Sequence, residues 1–304
     1  RQQSGVGIHY LTKREYLPLV EANPHISKVF TIEKRVSEVL PELRAERYDC
    51  LLDLHKNLRS WQVRLGLGVK TLGFDKLNFK KWLLVNFKID RLPKLHLVDR
   101  YLEAAVPLGV VNDGKGTDYF FPPQLSTLNR QPAINNYQLP NEFIAFAIGA
   151  AHQTKRLPAE KIVAICRGIS SNIILLGGGA EAAEGDEIAR LAGSHVLNFC
   201  GKLSLHESAA VIRASAVVIT HDTGMMHIAA AFGKKILSIW GNTVPSFGMF
   251  PYEKTGGNNS TIFEVKGLPC RPCSKIGYEK CPRGHFRCMK NIDVGDVLAA
   301  IPPR

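Results

Sequence analysis

No apolar run in the 304-residue sequence reaches the roughly 18 residues a helix needs to cross a bilayer, which excludes a helical membrane span. No signal peptide is visible at the N-terminal end. Base-reading and stacking motifs are absent, which excludes nucleic acid as the expected partner. There is no Asp-x-Asp pair, so no acidic motif offers to hold a metal against a diphosphate. Cysteine is sparse: seven in a chain of this length do not make a secreted disulfide scaffold. Cys50, Cys166 and Cys200 stand beside strand-like runs and read as small buried apolar side chains.

What is present is an ordinary globular composition, 45% apolar and 22% charged, long enough for two domains. The net charge of +12 points to an anionic partner: a nucleotide, a phosphorylated glycolipid or a membrane surface. Strands and helices alternate, as in parallel sheets with crossover helices. A Pro-, Asn- and Gln-rich stretch at 122–142 divides the chain. The reading is an N-terminal domain over 1–125, a linker over 126–140 and a C-terminal domain over 141–304.

The most informative run is His221-Asp222-Thr223-Gly224-Met225-Met226-His227, between "AVVIT" and "IAAAFGKKILSIWG". It reads strand, tight turn, helix, strand. A helix N-terminus offers unpaired amides and a partial positive charge, a natural seat for phosphate. Asp222 and Thr223 occupy capping positions, Gly224 opens the helix, and His227 lies one turn in and can face the same anion. The plainer alternative is an N-cap followed by a core histidine.

The first strand of the second half leads into Thr154, Lys155 and Arg156, a point charge beside a bidentate one. The plainer alternative there is a solvated basic turn. Gly177, Gly178 and Gly179 permit a sharp turn after another strand and fit G-x-G-x-x-A. The position is mid-domain and no acidic residue follows at the right distance, which argues against a dinucleotide site. In the first half, "YDCLLDLHKNLRS" sets Asp53, His55, Asn57, Arg59 and Ser60 at a strand end. Residues 70–100 interleave Lys and Arg with Phe79, Trp82 and Phe87, either a basic amphipathic patch for an anionic bilayer or a core helix with snorkelling lysines. Near the end, Cys270, Cys273, Cys281 and Cys288 follow C-x2-C-x7-C-x6-C with His285 inside. Such spacing can hold structural zinc; reduced thiols or disulfides are the competing readings.

The 221–252 run as a whole resembles the signature of the bacterial heptosyltransferases, glycosyltransferase family nine. The resemblance covers nearly all of 6–300. It implies an α/β fold of GT-B architecture, with two doubly wound Rossmann-like domains facing a cleft and a final helix packing back on the first domain. It implies inverting, metal-independent transfer of a sugar, heptose by default, from an ADP-heptose-type donor to a lipopolysaccharide-core acceptor. No cofactor is implied. Thr154, Lys155, Arg156, Asp222, Thr223, Gly224 and His227 become donor-phosphate residues. Gly178, Gly179 and Glu181 fall to the nucleoside, with Glu184 as fallback for Glu181. His55, Asn57 and Arg59 fall to the acceptor. The family's catalytic base sits on a Gly-Asp turn whose match lies upstream of Arg1, with the first strand; Asp53 is the nearest acidic candidate here. The expected partners are the nucleotide sugar and an anionic glycolipid, with peripheral contact at the cytoplasmic face of the inner membrane. A non-catalytic nucleotide- or glycan-binding relative and a dinucleotide oxidoreductase are the competing functions.

Overall fold

The computed structural model describes residues 5–123 and 138–303. The expected linker therefore lies outside the described residues over 126–137. Two compact units emerge. The first comprises 1–77, 95–113 and 119–126; the second comprises 78–94, 114–118 and 127–304. The helix Asn78–Phe87 thus belongs with the C-terminal unit, although it precedes the linker by tens of residues. Among the described residues no helix is long and apolar enough to cross a membrane.

The first unit carries two separate parallel pairs. Strand β1 (His9–Lys13) pairs with β2 (Lys28–Ile32), and β3 (Cys50–Asp53) with β4 (Lys70–Gly73). Both pairs are parallel, as the alternation of strands and helices leads one to expect. Its core gathers Phe30, Ile32, Val36, Val39, Leu43 and Val63. Pro41 falls in the first turn of the helix Leu40–Ala45, where a missing N–H costs nothing. Asn57 caps the helix Leu58–Leu67, and Gly68 ends it with φ 65°, a left-handed conformation glycine adopts without penalty.

The second unit is a six-stranded, all-parallel sheet. Its strands are β5 (Phe143–Ala147), β6 (Asn172–Leu176), β7 (Val196–Asn198), β8 (Val217–His221), β9 (Lys235–Trp240) and β10 (Ser260–Glu264). They lie in the order β10-β9-β8-β5-β6-β7. Every residue of β5 and β8 is buried, as expected for central strands covered on both faces. Counted within the unit, this is the order 3-2-1-4-5-6 of a dinucleotide-type α/β sheet. The chain reverses direction across the sheet between β5 and β8, and all strand carboxyl ends share one edge. In such sheets the ligand crevice opens at that reversal.

Helices seal the core by ordinary amphipathic spacing. Ala159–Arg167 buries Ile162, Val163, Ile165 and Cys166. Leu205–Ala214 begins with a Ser204–Glu207 capping box. The last helix, Val294–Ala299, buries Val297 in the second unit's own core and sets Leu298 against Gly168.

Candidate functional site

Four loops meet the carboxyl edge of the sheet: those after β5, β6, β8 and β9. The loop after β8 is short. Thr223 is the N-cap of the helix Gly224–Ala231, and its side chain makes no capping bond. Its hydroxyl lies 3.4 Å from Thr220 Oγ1 instead. The helix therefore opens without a side-chain cap, and Gly224 is exposed with open space where a Cβ would stand. Uncapped amides at a strand-end crevice suit an anion.

Lys155 lies beside this turn. Its ammonium is 2.6 Å from Asp222 Oδ2 and 3.4 Å from the Asp222 carbonyl. Asp222 also accepts from Thr243 Oγ1 at 2.8 Å. Asp222 was expected to touch the donor phosphate. It is a buried carboxylate that already accepts from Lys155 and Thr243. His227 is half-buried, and burial pushes its pKa down, with Asp222 opposing and Lys155 adding to the shift. Its ring is neutral near neutral pH and can donate one N–H.

On the other side of β5, Arg156 Nη2 is 2.7 Å from Glu181 Oε1 and 3.3 Å from Glu184 Oε2. The other oxygen of Glu181 accepts from the Gly178 amide at 2.7 Å. Gly149, just past β5, has no room for a side chain without meeting Glu181 Oε2 at 3.0 Å. The structure thus brings Arg156, Gly178, Glu181 and its fallback Glu184 together, with Gly179 exposed beside them. This turn follows β6, the second strand of the unit, and not β5. The glycine run is therefore not where a dinucleotide fingerprint stands.

Three expected ligand groups are committed to the fold. Thr154 is buried and exchanges hydrogen bonds with the Tyr278 backbone: its amide and hydroxyl lie 3.0 Å from the carbonyl, and its Oγ1 accepts from the Tyr278 amide at 2.8 Å. Asn57 forms a reciprocal cap with Ser60. Asp53 Oδ1 accepts from the His55 and Lys56 amides at 3.0 and 2.7 Å, closing the turn after β3. A carboxylate holding a turn is poorly free to take an acceptor proton. His55 and Arg59 are exposed in the first unit, and Arg59 makes no hydrogen bond or ion pair among the described residues.

His221 is a core residue. Its Nε2 accepts from the Leu157 amide at 3.0 Å, so Nδ1 carries the proton. Burial lowers its pKa to about 4. The cysteines are all free thiols. Cys273 points its Sγ at the Cys270 carbonyl at 3.0 Å, and Cys270 Sγ is 3.7 Å from His285 Nε2. Among the described residues no group of three His, Cys, Asp or Glu side chains is set to hold a metal ion, although burial and the neighbouring Cys270, Cys288 and Cys281 thiols together raise the pKa of Cys273.

Sequence reasoning missed two residues after β9. Thr243 fixes Asp222. Asn242 is buried with neither side-chain amide atom bonded among the described residues. Buried polar atoms are rarely left so. The signal available was a small polar pair directly after an apolar strand.

The sequence model of glycosyltransferase family 9 (heptosyltransferase) matches residues 36–280. Lipopolysaccharide heptosyltransferase 2 of Escherichia coli (strain K12) is 23% identical over 219 residues, 67% of this chain and 63% of that protein. The chain thus matches less than two thirds of that relative's length. The structure of E. coli ADP-heptose lps heptosyltransferase II superposes with a TM-score of 0.69 at 18% identity, covering 98% of this chain and 89% of the other. E. coli heptosyltransferase WaaC with ADP gives 0.61 at 19% identity, covering 85% and 84%. The shared feature at these identities is the fold, that of the α/β GT-B heptosyltransferases.

Proposed function

The chain belongs to glycosyltransferase family 9, the heptosyltransferases, and from that membership we propose that it transfers a sugar from an ADP-heptose-type donor to a hydroxyl of an anionic glycolipid. The observation that carries this reading is the pairing of an uncapped helix end at Gly224 with the Lys155 ammonium at the β5/β8 reversal. E. coli heptosyltransferase WaaC was solved with ADP, and its likeness in fold supports the same nucleotide here.

In the proposed reaction the acceptor oxygen forms a bond to the anomeric carbon as the bond from that carbon to the diphosphate breaks. The departing ADP takes the electron pair, and the acceptor proton passes to a base. Displacement from the opposite face inverts the anomeric centre. The chain's own contribution is to stabilise charge gathering on the diphosphate, through the Thr223–Met225 amides, the Lys155 ammonium and the neutral His227 ring. Glu181 receives the ribose and holds Arg156 beside it. A lipopolysaccharide core is the proposed acceptor, with Arg59 as the cation nearest to hand for its phosphate or carboxylate groups. The cytoplasm is the proposed compartment, since nucleotide sugars are made there.

Calorimetric titration with ADP, ADP-heptose and NAD tests the donor site. Binding of the first two without NAD is expected. Tight NAD binding with none of ADP would overturn the reading in favour of an oxidoreductase. Mass spectrometry of a heptose-acceptor mixture then tests turnover. ADP binding with no transferred sugar would leave a binding protein.

A further inference from the structure

The helix Asn78–Phe87 buries only one of its residues, Leu84. Its aromatics face outward: Phe79 is 69% exposed, Trp82 48% and Phe87 59%. They touch one another in a row. Phe79 stacks on Trp82 with centroids 6.0 Å apart, and Trp82 meets Phe87 edge-on at 5.2 Å. Across a groove of about 230 Å³ lie Ile276, 64% exposed, and Tyr278, also exposed. A contiguous apolar surface of this kind marks an interaction site.

The surrounding charge is predominantly positive, with Asp90 and Glu279 as the exposed acids. Residues 78–94 contain Lys80, Lys81, Lys88, Arg91 and Lys94 against Asp90 alone. Lys80, Arg91, Lys94 and, across the groove, Lys275 are exposed. Lys88 plays a separate part: its ammonium donates to the carbonyls of Val85 and Pro272 at 2.6 and 2.7 Å, tying the helix end to the cysteine loop. The surface is cationic and aromatic.

We propose that this surface docks the protein on an anionic lipid bilayer. Aromatic rings settle at headgroup depth, and lysines flanking them meet acidic headgroups. A second copy of the chain fits less well, because a two-fold contact would bring like charges such as Lys80 together. The docking surface is braced to the donor site. Tyr278 is held by three hydrogen bonds to Thr154, the neighbour of Lys155. A protein seated this way carries its nucleotide-sugar site at the lipid surface, where a glycolipid hydroxyl is found. The docking itself does not depend on sugar transfer.

The test is co-sedimentation of the full chain with vesicles of phosphatidylglycerol in phosphatidylcholine, and of phosphatidylcholine alone. Binding is expected only with the acidic lipid, and it should weaken with salt. The variants F79S/W82S and K80E/K275E should each reduce partitioning by roughly tenfold or more. Both change exposed side chains, so thermal midpoint and ADP binding should stay at the parent values and report folding. Absent binding, equal binding to both vesicles, or unchanged partitioning of the variants would overturn the proposal. So would a dimer in light scattering that F79S/W82S dissolves, which would assign the surface to a second copy. Loss of ADP binding with vesicle binding intact would count against the donor site alone.

Discussion

Replacing Lys155 separates what the ammonium does for the fold from what it does for a ligand. Its ion pair with Asp222 is 2.6 Å long, and the two side chains are 13% and 6% exposed. In Lys155→Met the carboxylate keeps only the Thr243 hydroxyl and sits buried without a counter-charge. Breaking a buried pair from one side costs about 3–5 kcal/mol. For a unit of this size that is a fall of roughly 6–20 °C in melting temperature. Adding Asp222→Asn removes the stranded charge, keeps an acceptor for Thr243, and should recover most of that loss. ADP binding should behave differently. A charge-assisted hydrogen bond to phosphate is worth about 1.5–3 kcal/mol, roughly 10- to 150-fold in affinity. That loss should appear in Lys155→Met and persist in the double variant. Differential scanning calorimetry and ADP titration on the same four proteins complete the cycle. Recovery of ADP affinity together with stability would refute the reasoning, because Lys155 would then act only by holding the turn. Undiminished affinity in the single variant would refute it as well.

If Glu181, held by Arg156 and the Gly178 amide, takes its proposed place at the nucleoside end, Glu181→Gln should weaken ADP by about 1–3 kcal/mol while leaving pyrophosphate affinity nearly unchanged; equal losses measured by competition titration would move it to the phosphate. Gly224→Ala meets open space and gains helix propensity, so stability should hold or rise by up to about 1 kcal/mol. Its methyl should nonetheless crowd a phosphate seated on the helix end and weaken ADP by about 1–3 kcal/mol; unchanged calorimetric affinity would remove the phosphate from that position. His221, lowered to about 4 by burial, is neutral in the fold while an unfolded histidine titrates near 6.5. The unfolded chain therefore takes the proton first, so the contribution is complete above that value and lost as pH falls through 4, about 3 kcal/mol in all. Urea midpoints across that range should fall less steeply in His221→Gln, the remaining slope belonging in part to His227; an unaltered slope would show that His221 does not set it.

The strand-turn-helix at 217–231 was legible because its signals are local. An apolar run, four polar residues and a glycine fix where the strand ends and the helix begins. Strand alternation put Lys155, Arg156 and Glu181 just past strand ends, and the resemblance to the heptosyltransferases assigned them to the donor. What was hidden is partnership across distance. Thr154 reads as a phosphate hydroxyl until Tyr278, 124 residues on, takes it. Asp222 reads as a ligand until Thr243 arrives from 21 residues away. Asn57 and Asp53 look like an acceptor-binding strand end, and the same short polar side chains equally build a helix cap and a turn. Strand β10 went unread because its half-exposed residues give a weak pattern at a sheet edge. Helix Asn78–Phe87 joins the second unit across the chain's own order, which no local pattern reports.

The proposed donor site has an electrostatic character that its basic residues alone do not suggest. Lys155 and Arg156 face three carboxylates, those of Asp222, Glu181 and Glu184, at 2.6–3.3 Å. Two bare cations would attract a diphosphate more strongly at long range, but they would also move. An ammonium has three N–H donors, and Lys155 aims two of them at Asp222, leaving the third for a ligand. The guanidinium of Arg156 is likewise held while keeping donors in reserve. The carboxylates lower the attraction for a resting diphosphate and hold the cations still. The helix amides supply fixed positive dipole ends that need no counter-charge. Charge that develops on a departing diphosphate then meets donors already in place, with no reorganisation at the moment of bond cleavage, and this is the condition under which fixed dipoles and cations favour a transition state over a bound ground state.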